Sequence, residues 1–318
     1  MDIDYLLWLQ GIRETLGGTG LLAAVTSAAM PVAIGVALVL YWFRDKRLGL
    51  WSLMSFALGS AVLQLVKATC CVARPWVRDL RVAPPADVRA GATGYSFPSG
   101  HTQTAASAVG AAGWGGRRRG AWVPVASAAF VLLVAFSRNY LGVHTPQDVL
   151  AGMAVGALSV WLAGRAIAAV ESGAVSDAAA ASAMLCVSLA GMAYVLLKPY
   201  PTGPDAAEAA ECAAQMVADA SQGLGALAGC GLGWLLERRL VRFSCDCPRS
   251  EKLARVVAAL CCVALIFLVA LPLVRLAAGG KNFAYEWVEG FLAMLAGVWG
   301  APAAARAACA GHAGTGPR

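Results

Sequence analysis

Apolar residues in this chain gather into long unbroken runs, with neither the strict alternation of a strand nor the heptads of a coiled coil. Seven such runs cover approximately Leu21 to Phe43, Leu48 to Val72, Ala121 to Phe136, Pro146 to Val170, Ala181 to Leu197, Leu253 to Leu276 and Trp287 to Ala305. A bilayer core about 30 Å thick is crossed by roughly 20 apolar residues in helical form, so each run predicts a spanning helix. Two further runs, His101 to Trp114 and Ser221 to Leu236, are shorter and rich in Gly, Ala, Ser and Thr. That composition predicts helices held inside the bundle by close backbone approach. About nine spans are expected in total. A short amphipathic segment, Tyr5 to Leu16, precedes the first run and predicts an interfacial helix over 1–17. It lacks the basic start, short apolar core and small-residue cleavage site of a removable signal, so the first span is expected to remain.

The predicted fold is all-α and polytopic. About six core transmembrane helices fall in a first domain over 1–198. Additional transmembrane helices and a Gly-rich tail make up 199–318. Composition agrees: 59% hydrophobic and 14% charged residues exclude the ordinary soluble globular class. The net charge of +7 changes the picture only in its placement. If the spans alternate, Arg44 to Arg47, Arg117 to Arg119 and the Arg-rich stretch from Glu237 to Arg255 share one side. By the positive-inside rule that side is cytoplasmic. The N-terminus, the loops 73–100 and 137–145, and the acidic stretch Pro199 to Glu211 then face outward. The basic loops are expected to meet anionic lipid head groups, and no nucleic-acid partner is expected. Cysteines such as Cys186, Cys230, Cys261 and Cys262 sit in apolar runs as small hydrophobes, so no disulfide framework is expected. Cys245 and Cys247 lack the further ligands of a zinc site, and no metal or cofactor is expected.

Candidate chemistry lies in the outward loops. Ionisable residues near a span are costly to insert and are therefore functional suspects. Lys67 precedes Arg74-Pro75 by seven residues, which on a continuous helix puts both cations on nearly one face. The plain alternative is two side chains snorkelling to the interface. Gly94 to His101 reads Gly-Tyr-Ser-Phe-Pro-Ser-Gly-His immediately before a helix start, where unpaired N–H groups attract phosphate. There Ser99 can cap the helix or bond an anion, Gly100 lets an oxygen approach the backbone, and His101 can donate a proton. The third group is Ser137-Arg138, His144 and Asp148. Thr145 and Pro146 read as N-cap and first helical residue, which offers Asp148 a capping-box role. The competing role for Asp148 is to accept the ring N–H of His144 and leave the other nitrogen nucleophilic. The third histidine of the chain, His312, stands in the tail without partners and reads as solvated.

Together, Lys67-x6-Arg74-Pro75, Pro98-Ser99-Gly100-His101 and Ser137-Arg138-x5-His144-x3-Asp148 resemble the three-part signature of the type 2 phosphatidic acid phosphatase family, across roughly Leu6 to Val170. The resemblance implies that His144 attacks phosphorus to form a phosphohistidine, that Asp148 orients it, and that His101 protonates the leaving oxygen. Lys67, Arg74, Ser99, Gly100 and Arg138 would bind the phosphate, with Arg74 and Arg138 able to do so bidentately. It further implies a metal-independent phosphatase acting on a lipid phosphate monoester of the phosphatidic acid, phosphatidylglycerophosphate or sphingoid-base phosphate type, in the cell membrane with its site outward. The alternative is an undecaprenyl (polyprenyl) diphosphate phosphatase; phosphoryl transfer to another acceptor would use the same intermediate. Vanadium haloperoxidases share the signature, but the many spans count against them. Outside enzymes, the runner-up is a lipid-binding or transport protein, which inorganic phosphate release would separate. The signature does not explain the C-terminal spans, where Glu286 and Glu289 sit near one entrance; structural packing is the favoured reading, and shaping of substrate access is the alternative.

Overall fold

Long apolar runs leave the backbone no partner but itself in lipid, so helices are the outcome wherever the runs extend. The computed structural model describes residues 1–202 and 206–313, and the described residues contain helices and no strand. Residues 203–205 of the acidic stretch, the Gly-rich end 314–318 and the side chain of His312 lie outside what is described. The long helices are α1 (Asp2–Leu16), α2 (Thr19–Arg44), α3 (Lys46–Cys70), α4 (100–115), α5 (Trp122–Tyr140) and α6 (Pro146–Glu171), followed by α7 (Asp177–Leu197), α8 (Ala206–Leu236), α9 (Arg249–Ala277) and α10 (Phe283–Cys309). Local signals set several starts: Asp45 caps α3, Ser176 caps α7, and Asn282 caps α10.

The chain is a polytopic membrane protein in which seven helices, α2, α3, α5, α6, α7, α9 and α10, are long and apolar enough to cross a bilayer. The expected nine shrink to seven because α4 is too short, about 24 Å at 1.5 Å per residue, and because α8 carries Glu211, Gln215, Asp219 and Gln222 ahead of its apolar part. Both lie inside the bundle, as their small residues predict. Against α4, a Cβ on Gly152 of α6 would stand 2.6 Å from the Ser99 carbonyl oxygen, so only glycine permits that approach. A Cβ on Gly290 of α10 would likewise meet the Gln222 carbonyl of α8 at 2.0 Å. The C-terminal helices are integral to the bundle: one apolar cluster joins Tyr41, Leu53 and Met54 to Leu227, Trp234 and Val298.

Ion pairs gather the basic loops at one end of the bundle. Arg119 pairs with Asp45 (2.7 Å), Lys46 with Glu237 (2.6 Å), Arg47 with Glu171 (2.8 Å) and Arg239 with Asp177 (3.0 Å). At the other end α1 turns Leu6, Leu9 and Arg13 inward. Arg13 donates to the carbonyls of Tyr140 (3.3 Å) and Ala83 (2.5 Å), which fastens the loops around the signature residues.

One expectation fails here. Lys67 and Arg74 do not share a helical face, because α3 stops at Cys70 and Cys71 takes a left-handed φ of 48°. Arg74 itself is extended (φ −61°, ψ 151°), the conformation that a following proline enforces.

Candidate active site

The site is assembled from the ends of α3, α4, α5 and α6 and the loop before Pro75. His144 sits in the tight loop between α5 and α6. The His144 N–H donates to Arg138 O at 3.4 Å, and the Asn139 amide donates to the His144 carbonyl at 2.9 Å. The imidazole is 2% exposed. Its Nδ1 stands 3.3 Å from Asp148 Oδ2 and its Nε2 stands 3.1 Å from Arg74 Nη1. An acceptor on one side and a donor on the other select the neutral tautomer with the proton on Nδ1. Burial, then the guanidinium of Arg74, hold the imidazole well below its ordinary pKa of 6.5; the hydrogen bond to Asp148 opposes them and is outweighed.

Asp148 performs both roles that competed for it. Its Oδ2 accepts from Thr145 N (2.8 Å), completing the capping box, and from Ser96 Oγ (2.6 Å), while the same oxygen faces the imidazole. Ser96 was not singled out by its sequence context, although it lies two residues before Pro98. Its hydroxyl and the Thr145 N–H fix the carboxylate before the histidine uses it. Asn139 and Thr26 were also missed. Thr26, on α2, accepts from Arg138 Nη1 at 3.0 Å, and nothing local in the sequence marks it.

The three cations differ in how they are held. Arg74 is tied by backbone carbonyls: Nε donates to Gly94 O (3.0 Å), Nη1 to Val143 O (3.2 Å), and Nη2 to Thr93 O. It is a fixed charge beside His144 rather than a free fork, so the expected bidentate grip falls to Arg138, whose buried Nε has no partner among the described residues. Lys67 is 6% exposed, and its ammonium makes no hydrogen bond or ion pair among the described residues. All three, with Gly100, His101 and His144, line one cavity of about 550 Å³. Ser99 does not line it. The Ser99 hydroxyl is fully buried and accepts from Thr102 Oγ1 at 3.1 Å, its N–H donates to Asp148 O at 2.9 Å, and its side chain does not cap α4. On the opposite wall stand Asp219 and Gln222 of α8 and Glu289 of α10. Glu289 is therefore part of the cavity, which accords with the access alternative for the C-terminal spans.

A buried imidazole whose Nε2 accepts from Arg74 Nη1 on the cavity wall, a second histidine at a helix start and three cations are suited to attack on a phosphorus centre and to holding its oxygens. Comparison with known proteins points the same way. Residues 48–170, which carry all three signature parts, match the family described as the PAP2 superfamily. Residues 221–309, from within α8 through α10, match the description "PAP2 superfamily phosphatase, transmembrane extension". The chain is also similar to an undecaprenyl-diphosphatase of Sulfolobus acidocaldarius, 28% identical over 122 residues. That stretch is 38% of this chain and 55% of the relative, so the chain spans about half the length of the curated protein it matches. No solved structure matches the chain.

Proposed function

We propose that this chain, which belongs to the PAP2 superfamily of phosphatases and carries its transmembrane extension, releases phosphate from a polyprenyl diphosphate through a phosphohistidine on His144. The observation that carries the chemistry is the His144 ring held between Asp148 Oδ2 and Arg74 Nη1 on the wall of a cavity that also receives Lys67, His101 and Arg138. The similarity to an undecaprenyl-diphosphatase supports the substrate class.

The terminal phosphate takes the Arg74 Nη1 donor away from His144 Nε2, and its oxygens also take up donors from Lys67, Arg138 and the backbone at Gly100. His144 Nε2 then attacks phosphorus in line as the bond to the bridging oxygen breaks. His101, whose pKa burial and then Arg138 lower to about 3 in the empty site, takes up a proton as the bound phosphate offsets the nearby cations, gives it to that oxygen, and the lipid monophosphate leaves. Asp148 keeps the Nδ1 proton and balances the positive charge that grows on the ring. In the second half, water loses a proton to His101 and attacks phosphorus. The P–N bond breaks, inorganic phosphate forms, and His144 returns to its neutral state. Cations preplaced around the phosphoryl oxygens supply the charge neutralisation that this loose transition state needs. The positive-inside rule, applied to the basic loops at the opposite end, gives the site an extracytoplasmic location.

A lipid phosphate monoester is the second reading, favoured by Asp219 and Glu289 on the cavity wall. Carboxylates close to a second phosphate would repel it. The test is phosphate release by the purified chain in detergent with EDTA, from undecaprenyl diphosphate, phosphatidic acid and a sphingoid-base phosphate, with His144→Ala as control. Chelator-resistant release that is strongest on the diphosphate and absent in His144→Ala is the expected result. Preference for a monoester selects the second reading. No release from any of the three, with lipid binding intact, makes the protein a lipid-binding or transport protein instead.

A further inference from the structure

The phosphate site is only the top of its cavity. Below Lys67, the wall on α3 continues through Gln64, Leu63, Ser60 and Phe56 to Leu53. Lys67 and Leu53 are about 21 Å apart along the helix at 1.5 Å per residue. On α2 a single stripe follows the same descent: Met30, Ile34, Leu38 and Trp42, each four residues from the last. The facing wall belongs wholly to the extension, with Ala226 of α8, Ala259 and Val263 of α9, and Ala293 and Gly297 of α10. The small side chains at Ala226, Ala259, Ala293 and Gly297 leave the space between these helices and α3 unfilled. Ionisable groups are confined to the upper part; Gln103, near Gly59, and Thr104 of α4 add polar groups, and the lower lining on α2, α3 and α9 is apolar apart from the Trp42 indole, whose N–H donates to Gly297 O at 2.9 Å. The side of the compartment is open as well: Met30 of α2 is 37% exposed, and Val263 and Phe267 of α9 are 50% and 53% exposed, although all three line the cavity. The wall there runs directly into the lipid-facing surface.

Resting on the phosphatase reading, we propose that the extension forms, with α2 and α3, the compartment that holds the hydrocarbon chain of the substrate, loaded sideways from the bilayer between α2 and α9. The occupant is the substrate's own chain, because the apolar part has no boundary with the phosphate site and a lipid seated by its phosphate at Lys67 must direct its tail down this path. The volume of about 550 Å³ lies within the roughly 300–1,000 Å³ of ligand pockets, so the compartment takes the first part of a long chain and the remainder passes through the side opening.

The test compares kcat/KM for a long-chain and a short-chain prenyl diphosphate, in nanodiscs, for the wild type, Ala259→Trp and Leu260→Trp. Ala259 faces the compartment, whereas Leu260, 66% exposed, does not line it. The long-to-short ratio is expected to fall about tenfold or more in Ala259→Trp and to stay within about twofold in Leu260→Trp, on the scale of a blocked apolar subsite. Equal behaviour of the two variants overturns the proposal. If the wild type releases phosphate from neither lipid, the phosphatase reading has failed and the compartment is judged separately, with a lipid phosphate carrying a diazirine near its chain end. Crosslinks on α9 that excess unlabelled lipid phosphate displaces, and that Ala259→Trp removes, support it. Crosslinks absent from α9, or not displaced, overturn it, the latter assigning the space to a bystander bilayer lipid.

Discussion

The two ends of the bundle treat positive charge in opposite ways. At the basic-loop end, Arg47, Arg119 and Arg239 each reach a carboxylate, and all three are about half exposed or more. At the other end, Lys67, Arg74 and Arg138 are buried, and none forms a salt bridge with a carboxylate among the described residues. Water and counter-ions make the first arrangement nearly neutral in energy. The second is expensive, because a buried cation without an anion loses hydration that nothing repays. That cost fits the proposed phosphate site, where an arriving anion would offset the charge. Partial compensation comes from carbonyl dipoles, which hold Arg74 through Gly94, Thr93 and Val143.

Removing one member of the unbalanced set breaks the contrast most strongly. Arg138→Ala is expected to lower phosphate release by about 10²–10³-fold, the usual loss for one preorganised donor to a developing charge. The same variant relieves an unpaid desolvation, so the melting temperature of the phosphate-free protein holds or rises, while the stabilisation produced by added inorganic phosphate shrinks. Activity within a few-fold of wild type, or a large fall in melting temperature, would show that Arg138 is a structural residue and that the contrast between the ends carries no function.

Acid sharpens the comparison at a smaller scale. The folded pKa of His144 lies well below 6.5, while in the unfolded chain the ring titrates at about 6.5. Above about pH 6.5 neither state binds the proton. Below it the unfolded state gains a proton that the folded state refuses, so stability is lost as pH falls, by up to about 1.4 kcal/mol per unit. Thermal unfolding in detergent between about pH 7.5 and 5.5 should therefore fall more steeply for wild type than for His144→Gln. Saturating phosphate offsets the nearby guanidinium charges, raises the ring's pKa and flattens the wild-type slope. Parallel slopes for the two proteins would remove His144 from the account of the cationic site.

The signature side chains were legible because their chemistry is rare in an apolar chain: with only three histidines present, two of them at helix starts stand out. What escaped was the support around them. Ser96, Thr26 and Asn139 are ordinary polar residues whose importance comes from a partner 52, 112 and 5 positions away. The break between Lys67 and Arg74 was missed because a seven-residue spacing fits a helix equally well; the proline after Arg74 was the available signal, and it ended the helical reading one residue too late for the pair. The short helix α4 and the apolar second half of α8 were recognised as interior from their small residues but counted as spans, because an apolar run does not by itself say whether lipid or protein surrounds it. For Glu289 the sequence left packing and substrate access both open, since the cavity it lines is closed by helices from both halves of the chain and no local pattern records their meeting.

The smallest effect belongs to the balanced end. Arg119→Ala removes the 2.7 Å pair with Asp45, but both groups remain in reach of water, and exposed pairs contribute about 0.2–1 kcal/mol. Asp45 keeps its other work, accepting from Leu48 N at 2.9 Å as the cap of α3. Phosphate release is expected to stay within about twofold of wild type, and the melting temperature to move by only a few degrees. Asp45→Ala should cost more than Arg119→Ala, since it deletes the cap as well, at about 1 kcal/mol. A loss of activity in Arg119→Ala comparable to that in Arg138→Ala would mean that the basic loops act on the phosphate site through the bundle, and the division of charge between the two ends would have to be abandoned.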